Sequence, residues 1–219
     1  MSGHCLADQL APLGLTLEPA MLERLEWLAA ELLRWNRSHN LTAITEPREV
    51  REKHLIDSLS LLPLIEPAHR LLDLGSGAGF PALPLKIVCP ALEVVSVDAV
   101  GKKIAFQRHV ARTLKLSGFT AVHGRAEALP GTPLCGTGFD LVTARALGSL
   151  QLLAGLAAPC LAPGGRLIAM KGAEGAAELA AARVELAEIG FVCAAQHRLQ
   201  LPESGAERCL LVLEKTGWD

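Results

Sequence analysis

The chain has 219 residues, enough for one α/β domain with a modest extension and too few for two ordinary domains. Half of the residues are apolar and 20% are charged, a balance that excludes a disordered or fibrous protein, and the net charge of −2 does not by itself indicate a polyanionic partner. The sequence contains no long uncharged apolar run and no signal-peptide pattern. We therefore expect a cytoplasmic protein with no membrane partner.

The six cysteines predict neither a metal site nor a catalytic thiol. They form no C-x-x-C pair and no close cluster, so we expect no bound metal and reduced side chains. Most of them lie among apolar residues, where a thiol behaves as a small hydrophobic group. The positions are Cys5, Cys89, Cys135, Cys160, Cys193 and Cys209.

The first third of the chain has helical periodicity. Apolar residues from Leu22 to Trp35 recur every three or four positions, and Pro19 marks the predicted start of the helix. A second helical stretch begins near Pro47 and runs towards Leu64. We therefore predict a helical extension over residues 1–66, packed on a core domain over residues 67–219.

From residue 70 onwards, short apolar runs alternate with longer helical stretches, which predicts βαβ units around a parallel sheet. The last two runs are joined by only a few residues from Pro202 to Gly205, too short for a crossover helix, so they should pair antiparallel. The predicted helices are 79–89, 101–117, 148–161 and 174–189. The predicted strands are Arg70–Leu74, Leu92–Asp98, Thr120–His123, Phe139–Thr143, Gly165–Met170, Val192–Leu199 and Cys209–Lys215.

A glycine-rich turn follows the first predicted strand. The spacing is Asp-x-Gly-x-Gly-x-Gly, from Asp73 through Gly75 and Gly77 to Gly79. Phe80 stands where a dinucleotide-binding fingerprint requires its third glycine, which argues against NAD. The motif instead resembles the first motif of S-adenosylmethionine-dependent methyltransferases.

Further candidate residues stand at the ends of the next predicted strands. Asp98 ends the second strand, where an acid can accept hydrogen bonds from both hydroxyls of a ribose; the less favoured alternative is a helix cap. Arg145 follows the fourth strand, at the crevice where α/β sheets bind ligands, and Asp140 comes too early in that strand and is interpreted as structural. Residues 99–126 hold six basic side chains and no acidic one, which is either a solvated helix face or an anion-facing patch.

Taken together, these segments resemble the glucose-inhibited division protein B family, bacterial methyltransferases that modify a guanine N7 in small-subunit ribosomal RNA. The resemblance covers most of the chain. It includes segments at Trp35-Asn36 and Asn40-Leu41-Thr42, Lys53-His54-Leu55-Ile56-Asp57-Ser58, Asp73 to Pro81, Gly101-Lys102-Lys103, Phe139-Asp140, Arg145-Ala146, Pro163-Gly164-Gly165 and Lys171-Gly172. It implies a class I, Rossmann-like α/β methyltransferase fold: a mostly parallel seven-stranded sheet with a C-terminal antiparallel hairpin and an N-terminal helical extension.

The resemblance also implies roles for individual residues. The cofactor pocket would be lined by Gly75, Phe80, Ala126, Glu127 and Arg145, with Gly77 and Asp98 added from the fold. Contacts to RNA or the target base are implied for Asn40, His54, Arg145 and Lys171, and the basic run containing Lys102 and Lys103 would face phosphates. Structural roles stay open for three residues: a buried helix histidine for His54 and turn or cap residues for Asn40 and Thr42.

The expected reaction needs no general base, because guanine N7 carries an unprotonated lone pair. The expected cofactor is S-adenosylmethionine and the expected partner is small-subunit ribosomal RNA within a ribosomal particle, bound by a monomer. Two alternatives remain. The chain could methylate a small molecule or a protein, or it could be a non-catalytic RNA-binding module.

Overall fold

The computed structural model describes residues 5–66 and 69–216. Within these residues, seven strands form one sheet in the order β3-β2-β1-β4-β5-β7-β6. The strands are β1 (Arg70–Leu74), β2 (Glu93–Asp98), β3 (Phe119–His123), β4 (Phe139–Arg145), β5 (Leu161–Lys171), β6 (Phe191–Gln200) and β7 (Glu207–Lys215). The first five pair in parallel, and β7 pairs antiparallel with both β5 and β6. The predicted mostly parallel sheet with a C-terminal hairpin is confirmed.

Burial explains why the central strands read as continuous apolar runs. Leu71 to Leu74 in β1 are all buried, because helices cover both faces of a parallel sheet. The α-helices are α1 (Leu6–Leu10), α2 (Pro19–His39), α3 (Pro47–Val50), α4 (Asp57–Leu59), α5 (Ala82–Val88), α6 (Gly101–Thr113), α7 (Leu150–Ala157) and α8 (Gly175–Glu188).

Several predicted boundaries differ from the structure; α7, for example, ends at Ala157 rather than at residue 161, and three further differences have local reasons. Helix α5 begins at Ala82 rather than residue 79, because the glycine turn extends to Phe80 before the chain becomes helical. Helix α6 ends at Thr113, since Lys115 adopts a left-handed φ of 50°. Strand β5 starts at Leu161, four residues early, because Leu161 pairs with Phe139 ahead of a register shift.

The N-terminal helices share a hydrophobic core with the helices on one face of the sheet. Leu25, Leu28 and Leu32 of α2 belong to the same buried cluster as Leu83 of α5 and Phe106 of α6. The extension is therefore anchored by apolar burial rather than by a linker. The predicted boundary between residues 66 and 67 adjoins positions 67 and 68, which lie outside the described residues.

The second helical stretch is irregular. Pro47 opens α3, and the backbone then widens into a π-helical segment over Arg51–Ile56 before α4. Such segments are rare and are frequent at functional sites. In the part of the chain that the structure describes, no helix combines the length and apolarity that a membrane span requires.

Candidate active site at the carboxyl edge of the sheet

The parallel strands β1 to β5 end at the same edge of the sheet. Strand β1 lies between β2 and β4, so the chain changes direction across the sheet at this point. Ligands of open α/β sheets bind in the crevice at such a switch point. The glycine turn follows β1, Asp98 ends β2, Arg145 ends β4 and Lys171 ends β5.

The glycine turn has a backbone that other residues rarely adopt. Gly75, Gly77 and Gly79 have φ values of 64°, 60° and 95°. Gln107 of α6, fully buried, supports the turn by donating from Nε2 to the Gly77 carbonyl oxygen and to Ser76 Oγ, both at 2.8 Å. The turn is therefore held by a side chain from the neighbouring βα unit.

Asp98 is tied to the glycine turn through its carboxylate. Oδ2 accepts a hydrogen bond from the Gly77 N–H, and Oδ1 accepts one from the Val100 N–H, both at 2.8 Å. A carboxylate oxygen has two lone pairs, so each oxygen keeps one for a further donor. Val100 is the cap residue of α6, so Asp98 binds the N–H of the cap and is not itself the helix cap. Its carboxylate keeps the capacity to bind two ribose hydroxyls.

Asp73 is fully buried beneath the turn. Its Oδ2 accepts from the Ala82 N–H at 3.2 Å, whereas Oδ1 has no hydrogen-bond partner among the described residues. Burial raises the pKa of Asp73 from 3.8 to about 7. An unpaired buried carboxylate oxygen is costly, so this atom fits a site that receives a donor from a ligand.

The space around the turn differs between the two glycines. A Cβ at Gly75 would lie 2.6 Å from Leu147 Cδ1, so the Leu147 side chain packs directly on the backbone there. A Cβ at Gly77 would meet only Lys103 Nζ, at 4.0 Å. The Gly77 backbone is therefore open to a ligand, with an ammonium group close by.

Arg145 reaches across to the helical extension. Its Nη1 donates to the Lys53 carbonyl oxygen at 2.6 Å and to Asp57 Oδ2 at 3.2 Å, and its Nη2 lies 3.1 Å from His54 Nδ1. The other carboxylate oxygen of Asp57 accepts from Arg208 Nε at 2.7 Å. These contacts bring residues far apart in sequence to one buried cluster.

His54 lies beneath this arginine rather than on the surface. Its ring stacks on Phe80 with centroids 4.7 Å apart, and Nε2 lies 3.1 Å from Thr42 Oγ1. Burial, together with the charges of Arg145 and Lys53, lowers the pKa of His54 from 6.5 to about 3. His54 is thus a neutral side chain that contacts the implied cofactor and substrate residues from below.

The other implied residues lie in different surroundings. Ala126 and Glu127 open a short 3₁₀ turn after β3, and Lys102 is exposed in the first turn of α6. Lys171 donates to the Gly148 carbonyl oxygen at 2.8 Å and to Glu178 Oε1 at 2.9 Å. Lys171 therefore lies at the carboxyl edge of the sheet and also stabilises the loop after β4.

Two implied residues take structural positions. Asn40 caps the end of α2 with a left-handed φ of 48° and is exposed. Phe80 is only 2% exposed, and its ring packs in the core against His54. Asp140 accepts from the Arg70 N–H at 2.7 Å, which agrees with its structural interpretation.

Sequence reasoning missed four residues of this region: Gln107, Leu147, Asp57 and Arg208. Periodicity could have marked Gln107, a polar residue on the buried face of an amphipathic helix. No local signal pairs Asp57 with Arg208, because 151 positions separate them. Among residues 5–66 and 69–216, no three His, Cys, Asp or Glu side chains are grouped as they would be around a metal ion.

Comparison with solved structures gives the class of fold. A methyltransferase from Aquifex aeolicus, described as dependent on S-adenosylmethionine, matches with a TM-score of 0.59 at 13% identity, covering 80% of this chain and 96% of that one. The seven-stranded sheet with its antiparallel β7 is accordingly the class I S-adenosylmethionine-dependent methyltransferase fold.

Comparison of sequences gives the family. The family model described as rRNA small subunit methyltransferase G matches residues 21–202. A relative with the name ribosomal RNA small subunit methyltransferase G, from Syntrophotalea carbinolica, is 50% identical over 210 residues, covering 96% of each chain. One from Myxococcus xanthus is 46% identical, covering 95% of this chain and 96% of the relative. The chain belongs to the small-subunit ribosomal RNA methyltransferase G family, and S-adenosylmethionine is its cofactor.

The residues present suit that cofactor. The unpaired Asp73 Oδ1 can accept from an ammonium group, and the open face of Gly77 admits close approach of a ligand. Asp98 retains a lone pair on each oxygen for ribose hydroxyls. Asp73 thus suits the amine of S-adenosylmethionine, Gly77 the part of the ligand that lies against the backbone, and Asp98 the ribose.

Proposed function

We propose that this protein transfers a methyl group from S-adenosylmethionine to N7 of a guanine in small-subunit ribosomal RNA. The observation that carries the proposal is the position of Arg145. This cation pairs with Asp57 at the end of β4 and lies at the same edge of the sheet as the Gly77–Asp98 pair. The relatives named above act on small-subunit ribosomal RNA according to their names. A cation beside a sulfonium cofactor suits an acceptor rich in lone pairs and phosphates.

The topology divides the residues between cofactor and acceptor. Cofactor residues follow β1, β2 and β3: they are Gly75, Gly77, Phe80 through its backbone, Asp98, Ala126 and Glu127. Arg145 and Lys171 follow β4 and β5, on the other side of the switch point. Arg145 adjoins both halves, so it serves the acceptor while bordering the cofactor pocket.

The chemistry asks little of the protein beyond alignment. S-adenosylmethionine supplies an electrophilic methyl group on sulfur. Guanine N7 has a free lone pair, so the chain needs to remove no proton before the methyl carbon is attacked. The residues therefore orient the two reactants in line and exclude water, which can lower the activation free energy by roughly several kcal/mol. Leu147, packed over Gly75, supplies apolar cover for this purpose.

The RNA is held by a basic surface beside the pocket. Lys102 and Lys103 open α6 next to the glycine turn, and a ligand's phosphates would meet them first. Asn40, exposed at the end of α2, would add a polar contact to the RNA. Further exposed or half-exposed cations in the two basic segments are Arg37, Arg48, Arg51, Lys53, Arg108, Arg112, Lys115 and Arg125.

The remaining features of the proposal follow from charge and packing. The net charge of −2 gives modest affinity for RNA alone, so recognition uses the shape of RNA within a ribosomal particle. We propose that a monomer acts in the cytoplasm. We also propose two units, a helical extension over residues 1–66 that presents Asn40 and His54, and a methyltransferase domain over residues 67–219.

Labelled S-adenosylmethionine tests the proposal. Small ribosomal subunits from a strain that lacks the corresponding methyltransferase should acquire label on one guanine N7, located by mapping the modified nucleotide. Lys102→Glu should reduce the rate of methylation. Arg183→Glu, the same reversal of charge at an exposed position of α8, should not. Cofactor binding without label on RNA would instead favour a small-molecule or protein acceptor. Failure to bind the cofactor would favour a non-catalytic RNA-binding module.

A further inference from the structure

The Arg145 guanidinium has more donors than its protein partners use. It carries five N–H groups, of which two on Nη1 bind the Lys53 carbonyl oxygen and Asp57 Oδ2, and one on Nη2 meets His54 Nδ1. The second Nη2 hydrogen and the Nε hydrogen have no partner among the described residues. A side chain 20% exposed at the crevice thus keeps two donors while three hold it in place.

The contact with His54 requires a particular protonation state. Arginine can only donate, so His54 Nδ1 must accept and carry no proton. The proton then sits on Nε2, which faces Thr42 Oγ1 at 3.1 Å. That hydroxyl oxygen also accepts from the Ile44 N–H at 3.1 Å, so the loop after α2 determines which nitrogen of His54 faces Arg145. The depressed pKa of His54 agrees with a neutral ring.

Asp57 fixes the same guanidinium from another side. Its carboxylate is buried, with one oxygen on Arg145 and the other on Arg208 of β7. Two arginines on one carboxylate hold it in a fixed orientation. The cluster therefore joins the helical extension, the end of β4 and the start of β7 around one arginine.

We propose that His54 and Asp57 are positioning residues that orient Arg145, so that a remaining donor of Arg145 binds O6 of the acceptor guanine during methyl transfer. This inference rests on the proposed function. Guanine carries a second acceptor, O6, beside N7, and a donor placed on O6 leaves the N7 lone pair free to react. His54 then acts through Arg145 without touching RNA, which replaces the direct RNA contact that the family resemblance implies for it.

Two substitutions of His54 separate its two nitrogens. The amide of asparagine occupies roughly the place of Nδ1, so His54→Asn can keep an acceptor for Arg145 and loses the contact with Thr42. The longer His54→Gln places its amide near Nε2, so it keeps the Thr42 contact and withdraws the acceptor from Arg145. Both variants lose the ring stacked on Phe80, which makes them a matched pair.

The assay measures kcat and KM for methylation of small subunits, with the Kd for S-adenosylmethionine and the melting temperature of each variant. We expect kcat of His54→Gln to be about tenfold or more below that of His54→Asn, because small misplacements of an orienting group are costly. KM and the cofactor Kd should agree between the two within about twofold, since phosphate contacts dominate RNA affinity. Equal kcat values for the two variants would overturn the inference.

A double-mutant cycle keeps the test decisive if either His54 variant melts too low. Asp57→Asn preserves the shape of the side chain but weakens its hold on Arg145. If Asp57 acts through Arg145, its effect on kcat should largely disappear in an Arg145→Lys background. Additive effects would contradict the inference. Failure of the wild-type protein to methylate ribosomal RNA would instead refute the proposed function, so the two failures are distinguishable.

Discussion

Replacing Gly77 by alanine tests whether the glycine turn receives the cofactor. The backbone at this position is left-handed, with a φ of 60°, and a non-glycine residue pays about 1–2 kcal/mol for that conformation. The added Cβ meets no protein atom closer than Lys103 Nζ at 4.0 Å, so no steric penalty within the protein is added. The melting temperature should therefore fall by only about 2–8 °C.

The effect on the cofactor should be larger than the effect on stability. The new methyl group would occupy the open side of the Gly77 backbone, where a ligand must approach closely. We expect the Kd for S-adenosylmethionine, measured by isothermal titration calorimetry, to rise at least about tenfold, which corresponds to about 1.4 kcal/mol. Activity at saturating cofactor should fall less than activity at low cofactor.

Gly131→Ala is the matched control. Gly131 is also left-handed, with a φ of 79°, and a Cβ there would meet nothing within 4 Å. It lies in the loop that leads into β4, away from the carboxyl edge, so the same backbone strain should lower stability and leave the cofactor Kd unchanged. If Gly77→Ala lowers the melting temperature as its control does yet binds the cofactor as well as wild type, the role given to this turn is wrong.

Three further predictions concern the site, the pH dependence and the RNA surface. In Asp98→Asn, one carboxylate oxygen that accepts from a backbone N–H is replaced by an NH2 group, which can only donate. The free energy of unfolding should therefore fall by about 1–3 kcal/mol, measured by denaturant titration, and the cofactor Kd, measured by calorimetry, should rise. Because the pKa of His54 lies near 3 in the folded protein and 6.5 when unfolded, the unfolded state binds the extra proton between these values, and stability falls as pH is lowered. His54→Asn should therefore remove about 2 kcal/mol of the stability difference between pH 7 and pH 5, and melting curves that keep that difference would disprove the burial argument. Lys102→Glu combined with Lys103→Glu should weaken binding to small subunits and flatten its salt dependence, and an unchanged slope would exclude a phosphate contact.

Local signals predicted the sheet because each of them acts over a few residues. The buried run from Leu71 to Leu74, the glycine turn after it and the short link before β7 each depend on neighbours in sequence, and all three are confirmed. Asp98 was also predictable, since a strand end followed by a helix places a side chain at the carboxyl edge. Its bond to the Gly77 N–H was not, because the two residues come from different βα units.

The sequence by itself therefore determined the α/β class and the position of the glycine turn, since periodicity and backbone preference are local properties. Only the tertiary structure decided that His54 is buried under Arg145 and that Asp57 joins it to Arg208. Those contacts span 88 to 151 positions of the chain, and desolvation within the packed cluster sets the protonation of His54. Proximity and burial of this kind arise from folding and carry no short-range signature in the sequence.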